Sequence, residues 1–501
     1  MMKIDQLIKK QLEKNSKKPA IKFKNKSWTY SQLHNSIKET SSFLQTECNL
    51  APGDRICYYG TNNPEQIIIF IAASKLGIIL VPINWRLAIP EILFQIDQSS
   101  PKLMIFDPNF SENVGIIKNK IKKLSFIPIQ DHEKFGQSLS NRRRGFKKSK
   151  SFGNVNSPIL LVYTSGTTGE PKGALLNQKS IVCNAHMSHH AHAMDCSDTV
   201  LVFLPLFHVG GLNILLMPAL LIGATVVLDD KFDPSKTLSM IENDKITQVI
   251  TVPTILASMI SSEKWSAANL KSLKMISIGS TDVPINLIQK VHKRNIPVIQ
   301  IYGATETSPL AIYQTKESAF STEGSIGKAG LRCKIRLVNE QNIDVSNDEN
   351  GEILVKGDNV LKCYWNNNEA TKKYLTNGWF RTGDIARRDE NGNFWFVDRL
   401  KNVIISGGEN IYPAELERVL TKTNKSPEFS IVGKKDKKWG EVPVVVAVKK
   451  HFKFSEKEIL EEFNGKIANY KIPKKVIFVG ELPKNALGKI LVDKVKQIIE
   501  R

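Results

Sequence analysis

The chain has 501 residues, of which 41% are hydrophobic and 24% charged; that is the balance of an ordinary soluble globular protein, and it is too long for one hydrophobic core. Seventy lysines and arginines oppose 49 acidic residues for a formal charge of +21. The excess is spread along the chain with no aromatic-interleaved basic motif, so nucleic acid is not an expected partner. Six cysteines (Cys48, Cys57, Cys183, Cys196, Cys333, Cys363) form no Cys-x-x-Cys pair, which argues against a disulfide framework and for free thiols in a cytoplasmic setting.

In chain order, Met1–Lys10 has no apolar h-region, so no signal peptide is expected. Ile4, Leu7, Ile8 and Leu12 fall at helical spacing and predict a surface helix packed on the body, with at most peripheral membrane contact. Pro64–Lys75 predicts a helix running through Gly77 into a strand, Ile78–Pro82, the alternation of an α/β fold. The basic run Asn141–Lys150 reads as a solvated linker, and the apolar run Pro158–Tyr163 as a buried strand.

That strand leads into Tyr163-Thr-Ser-Gly-Thr-Thr-Gly-Glu-Pro-Lys-Gly173. Gly166, Gly169 and Gly173 let backbone amides approach an anion, Thr164, Ser165, Thr167 and Thr168 add hydroxyl donors, and Lys172 adds a cation. The composition is that of a phosphate-holding loop at a strand end, without Walker A spacing. His186, His189, His190 and His192 crowd a predicted helix, the first three on one face; zinc is conceivable, but neither cysteine nor carboxylate accompanies them nearby. Residues 201–228 are almost all apolar but interrupted by Pro205, His208, Gly210, Gly211, Asn213 and Pro218, which predicts buried strand, loop and helix rather than a membrane span. Between residues 322 and 398, strand-like segments (Lys334–Val338, Glu352–Val355, Phe394–Val397) alternate with Asn/Asp/Gly turns and predict a small β-rich unit. After Asp398-Arg399-Leu400-Lys401 the composition turns Lys/Glu-rich to the end, so domains are expected at 1–400 and 401–501.

The loop at 163–173, followed in order by Pro205-Leu-Phe-His208, Tyr302-Gly-Ala-Thr-Glu306, Trp379-Phe-Arg-Thr-Gly-Asp384, Ser406-Gly-Gly-Glu-Asn-Ile411 and Pro483-Lys-Asn-Ala-Leu-Gly-Lys489, resembles the adenylate-forming superfamily of acyl-CoA synthetases, luciferases and peptide-synthetase adenylation domains. The resemblance runs from about Trp28 to the last lysines. It implies an α/β fold: a large N-terminal domain of αβ subdomains plus a small β-rich subdomain, and a small mobile α+β C-terminal domain.

The resemblance also implies an ATP-binding set of Thr164, Ser165, Gly166, Thr167, Thr168, Gly169, Lys172, Gly279, Tyr302, Gly303, Ala304, Asp384 and Arg399. Within it Tyr302 would offer a face to adenine and Asp384 would accept the ribose hydroxyls. His208 would gate the carboxylate pocket, Thr305 would donate to the α-phosphate, and Glu306 would ligate Mg²⁺. Lys401 matches the hinge, Gly407 and Gly408 the coenzyme A tunnel, and Lys489 the adenylation lysine. The implied reaction is ATP-dependent activation of a carboxylate to an acyl-adenylate and then to acyl-CoA, with a homodimer as the expected assembly. The general resemblance of Leu204–Leu212 and Ile404–Pro413 to fatty-acyl and aryl ligases implies a medium- or long-chain fatty acid. An aryl or o-succinylbenzoate-type acid, or loading of a carrier protein, is the alternative.

Overall fold

The computed structural model describes residues 1–129, 149–164, 171–280, 283–406, 409–421, 428–449, 455–485 and 488–500; most of the basic run Asn141–Lys150 lies outside them. Among the described residues, two large sheets build the N-terminal part. One has seven strands in the order Cys363–Tyr364, Lys172–Asn177, Pro158–Thr164, Ile79–Ile83, Arg55–Tyr59, Leu103–Phe106 and Ser125–Pro128. The other has nine, with Val298–Tyr302, Met275–Ile278, Gln248–Thr251 and Thr199–Val202 parallel at its centre. Parallel strands covered on both faces need apolar residues on both faces. Accordingly, Ile56 and Tyr58 join the core shared with the nine-stranded sheet, while Cys57 and Tyr59 join a separate core on the other face.

The helix Pro64–Leu76 is buried at every residue but Lys75, as a helix apolar all round must be. Asn63 caps it by accepting from the Glu65 amide, Pro64 opens it, and Gly77 closes it at φ +74°, the left-handed end that glycine permits. The N-terminal helix Ile4–Asn15 buries Ile4, Ile8 and Gln11, and Gln11 Nε2 donates to the Leu221 carbonyl at 2.8 Å. The apolar stretch after Thr199 forms the predicted buried strand, loop and helix, and ends in one further strand, Thr225–Leu228. No helix among the described residues is long and apolar enough to cross a membrane.

An antiparallel sheet of Cys333–Val338, Gly351–Gly357, Trp379–Arg388, Leu375–Thr376 and Phe394–Arg399 forms the small β-rich unit. A short 3-10 turn, Leu400–Asn402, leads to a second five-stranded sheet from Ile404–Ser406 to Lys475–Val479. That sheet packs two cores of its own, around Leu416 and Phe463 on one face and Val444 and Val495 on the other.

Candidate active site

The phosphate-type loop leaves the seven-stranded sheet inside a hairpin whose arms, Pro158–Thr164 and Lys172–Asn177, pair Thr164 with Lys172 and Tyr163 with Gly173. Ser165, Gly166, Thr167, Thr168 and Gly169 lie outside the described residues. Lys172 Nζ sits 4.6 Å from the Tyr374 ring centroid and 5.9 Å from that of Tyr364, a cation–π seat that holds the ammonium beside the loop.

The strand Val298–Tyr302 of the nine-stranded sheet, third from one edge, ends at the second cluster. A Cβ on Gly303 would lie 1.6 Å from the Pro309 carbonyl oxygen, so only glycine lets the chain turn here into Ala304 and the 3-10 turn Thr305–Thr307. Tyr302 donates its hydroxyl to Asp384 Oδ2 at 2.8 Å. Asp384 Oδ1 is buried and forms an ion pair with Arg399 Nε at 3.1 Å, yet accepts no hydrogen bond among the described residues. Strand register places Asp384 opposite Arg399, and the carboxylate's charge is the main reason the guanidinium is held above its ordinary pKa. An orphaned carboxylate oxygen in a cavity is an open acceptor for a hydroxyl-bearing ligand.

Glu306 receives a 2.8 Å hydrogen bond at Oε1 from the Tyr364 hydroxyl. Burial pushes its carboxyl above the usual carboxylate range, and the Tyr364 bond opposes that shift. One carboxylate beside a phosphate-type loop fits Mg²⁺, which is commonly held by one or two carboxylates together with substrate phosphates.

Lys489 comes from the C-terminal sheet's side. Its loop is closed by Asn485, whose amide donates to the Lys489 carbonyl at 2.8 Å and whose Oδ1 accepts from the Lys489 amide at 2.9 Å. Lys489 and Gly488 line a cavity of about 340 Å³ together with Gly279, Ser280, Tyr302, Asp384 and Arg399. Desolvation, followed by the positive charges of Arg399 and Lys401 and opposed by Asp384, pushes the Lys489 amine down to about 8.

A second cavity of about 180 Å³ shares Gly279, Ser280, Ile301, Tyr302 and Gly303 with the first. His208, Thr305, Leu204, Ile214, Val252 and Leu310 line it, and among the described residues no carboxylate or lysine does. Burial pushes the His208 imidazole down to about 4, so the ring is neutral at pH 7. Gly211 permits the close return of the chain here, since a Cβ would meet the Pro205 carbonyl oxygen at 2.4 Å.

Behind this wall runs a polar seam. The helix Gln178–Ala191 supplies Asn184 Nδ2 to the Asn213 carbonyl at 2.6 Å and Ser188 Oγ to the Ile214 carbonyl at 2.5 Å, both inside the π-type turn Leu212–Leu216. Asn184 Oδ1 accepts from the Leu310 amide at 2.9 Å. His192 Nδ1 donates to the Ser188 carbonyl at 2.8 Å, and its Nε2 accepts from Ser277 Oγ at 2.7 Å. The histidine cluster is therefore divided among separate partners: His189 reaches the Pro218 carbonyl, His190 the Tyr313 hydroxyl and His192 the serines. Among the described residues no group of three or more His, Cys, Asp or Glu is placed to hold a metal.

Lys401 Nζ forms a 2.9 Å ion pair with Asp493 Oδ2 in the last helix, Val492–Ile499. Nearby, Asp398 accepts from the Ala414 amide at 2.7 Å, and Arg418 Nη2 donates to the Phe396 carbonyl at 2.8 Å. Gly407 and Gly408 lie outside the described residues; Ser406 and Glu409 on either side pair with each other. The structure thus gathers Gly279, Tyr302, Gly303, Asp384, Arg399 and Lys489 around one cavity and His208, Ala304 and Thr305 around its neighbour. Sequence reasoning missed Tyr364, Tyr374 and the Asn184–Ser188–His192 seam. Spacing does not signal the long-range contacts, because Glu306 as partner of Tyr364, Asn213 as partner of Asn184 and Ser277 as partner of His192 lie far away in the chain.

The profile of the AMP-binding enzyme family matches residues 8–365, and that of the AMP-binding enzyme C-terminal domain matches residues 415–489. The chain is 40% identical over 489 residues to an indoleacetate–CoA ligase of Aromatoleum aromaticum, covering 97% of this chain and 96% of the relative. It is 33% identical to the long-chain-fatty-acid–CoA ligase FadD13 of Mycobacterium tuberculosis, covering 92% and 91%. Among solved structures, the o-succinylbenzoate coenzyme A synthetase of Bacillus subtilis in complex with ATP and magnesium ion is similar, with a TM-score of 0.88 and 30% identity, over 98% of this chain and 99% of that one.

Proposed function

We propose that this chain, which belongs to the AMP-forming acyl-CoA synthetases of the adenylate-forming superfamily, activates an aromatic or arylalkanoic carboxylic acid and transfers its acyl group to coenzyme A. The enzyme is an acid–thiol ligase, with ATP and coenzyme A as co-substrates and Mg²⁺ as its metal. The observation that carries the substrate class is the cavity of about 180 Å³ beside the nucleotide-sized one, whose lining among the described residues holds no carboxylate or lysine. Such a space suits a compact ring, and the similarity to ligases named for indoleacetate and o-succinylbenzoate points the same way. The medium- or long-chain fatty acid expected from sequence becomes the second reading. Its support is the aliphatic wall of Leu204, Ile214, Ile250 and Leu310 and the similarity to FadD13.

In this reading the acid lies with its ring against Ile214 and its carboxylate toward Thr305 and Lys489. A carboxylate oxygen attacks the α-phosphorus of ATP, and the bond to pyrophosphate breaks. Asp384 accepts the ribose hydroxyls on the oxygen that Arg399 leaves without a hydrogen bond, and Tyr302 holds the other oxygen in place. Thr305 donates to the α-phosphate. Lys489 meets the charge that grows on the phosphoryl oxygens, while Lys172 and residues 164–169 hold the leaving pyrophosphate. Glu306 would hold Mg²⁺, which when bound supplies positive charge to the phosphates.

We take Lys401 as the pivot and 1–400 and 401–501 as the two domains. Turning the C-terminal domain withdraws Lys489 and brings Gly407 and Gly408 to the acyl-adenylate, whose carbonyl the thiol attacks with AMP leaving. The deciding experiment measures AMP and pyrophosphate release over benzoates, arylacetates, cinnamates and fatty acids of graded length, with and without coenzyme A. Turnover of an aromatic acid that requires coenzyme A is the expected result. Preference for aliphatic acids moves the second reading to first place, and adenylation indifferent to coenzyme A indicates carrier loading.

A further inference from the structure

The segment 361–365 joins two parts of the site that are remote in sequence. The Lys362 amide donates to the Leu175 carbonyl at 2.9 Å and the Trp365 amide to the Gly173 carbonyl at 2.7 Å, tying the segment to the strand that leaves the phosphate-type loop. On its other side the Leu361 amide donates to the Glu306 carbonyl at 2.7 Å. Glu306 is therefore gripped twice from this segment: by its backbone through Leu361, and by its carboxylate through the 2.8 Å bond from Tyr364. The Tyr364 ring is itself fixed. It is 5% exposed, stands edge-on to Tyr374 at 6.1 Å, and its backbone pairs with Ala174.

We propose that Tyr364 is a positioning residue for magnesium: its hydroxyl holds Oε1 of Glu306, turns the carboxylate's other oxygen toward the phosphates, and ties that carboxylate to the strand that begins at Lys172. A long, rotatable glutamate pays side-chain entropy to present one oxygen in one place. A buried phenol on a paired strand removes that freedom before the metal arrives. Hydrogen bonds of this kind to a ligating carboxylate are worth about ten- to a hundredfold in metal affinity. The inference rests on Glu306 being the magnesium ligand, as the proposed function has it.

Tyr364→Phe isolates the point, because it keeps the ring that contacts Tyr374 and Lys172 and removes only the donor. ATP binding is measured by calorimetry across a Mg²⁺ titration, with no carboxylic acid present, and AMP binding is measured without metal. The expected result is about a tenfold rise in the Mg²⁺ concentration that half-saturates ATP binding, with AMP affinity and Tm unchanged. Glu306→Gln should shift the same curve at least as far, and the double variant no further than Glu306→Gln alone. An unshifted curve for Tyr364→Phe beside a shifted one for Glu306→Gln overturns the role of Tyr364 while sparing Glu306. Unshifted curves for both overturn the ligand assignment and this inference with it. Weakened AMP binding or a lowered Tm in Tyr364→Phe also overturns it, since the hydroxyl would then be serving the fold.

Discussion

Raising the pH should switch off adenylation through one side chain. Lys489 enters the cavity with its pKa pushed from 10.5 down to about 8, first by desolvation and then by Arg399 and Lys401. In the proposed function the charged form is the one that stabilises the transition state, and it is lost as pH rises through the lowered value. With a pKa of about 8, roughly nine-tenths of the side chain is charged at pH 7 and roughly one-tenth at pH 9. The kcat/KM of the free enzyme for ATP should therefore fall about tenfold between those pH values, read by ATP–pyrophosphate exchange with a saturating acid. Bound triphosphate favours the ammonium, so kcat should hold to higher pH than kcat/KM. Lys489→Arg, slower but permanently charged, should lose this alkaline limb. Parallel alkaline limbs in the wild type and the arginine variant, or a wild-type profile flat to pH 10, would refute the assignment.

Two further outcomes follow from the cavity and its surroundings. Ile214→Ala removes part of the wall of the cavity proposed for the acyl group and should move relative kcat/KM toward larger acids by about tenfold; competition between a benzoate and a larger arylalkanoate measures it, and an unmoved ratio would take Ile214 out of the substrate's reach. Acid should destabilise the fold through buried imidazoles, since His192 and His208 are both pushed from 6.5 to about 4. The unfolded chain takes up these protons below 6.5 while the folded one refuses them until about 4, so stability falls as pH drops through that window. Tm should decline from pH 7 to 4.5, and less steeply in His192→Gln than in the wild type; identical slopes would show that His192 does not carry the effect.

What the sequence made legible was local. The apolar strand before Thr164, the helix that starts at Pro64 and stops before Gly77, and the change of composition after Lys401 all depend on neighbours within a few residues. The site residues arrived as motifs for the same reason, and the fold brings Tyr302, Asp384, Arg399 and Lys489 to one cavity. The Tyr364–Glu306 bond spans 58 residues and the His192–Ser277 bond 85. Neither tyrosine nor histidine advertises its partner by spacing, because strand pairing and helix packing decide the meeting. Substrate choice was illegible on similar grounds. Cavity size depends on how the turn at Leu212–Leu216 sits against Leu310, and no run of residues states that distance.

The polar seam behind the cavity that His208 and Thr305 line separates frame from lining. Asn184 and Ser188 satisfy the carbonyls of Asn213 and Ile214 from the helix side, and Asn184 also steadies the Leu310 amide. The wall's backbone is thus held by groups outside the cavity lining, while among the described residues the side chains that line the cavity carry no hydrogen bond to that helix. Gene duplication followed by point substitution can then reshape the lining without first solving the folding problem again. Relatives named for an indole acid, a succinylated benzoate and a long-chain fatty acid are the kind of radiation such a division of labour permits.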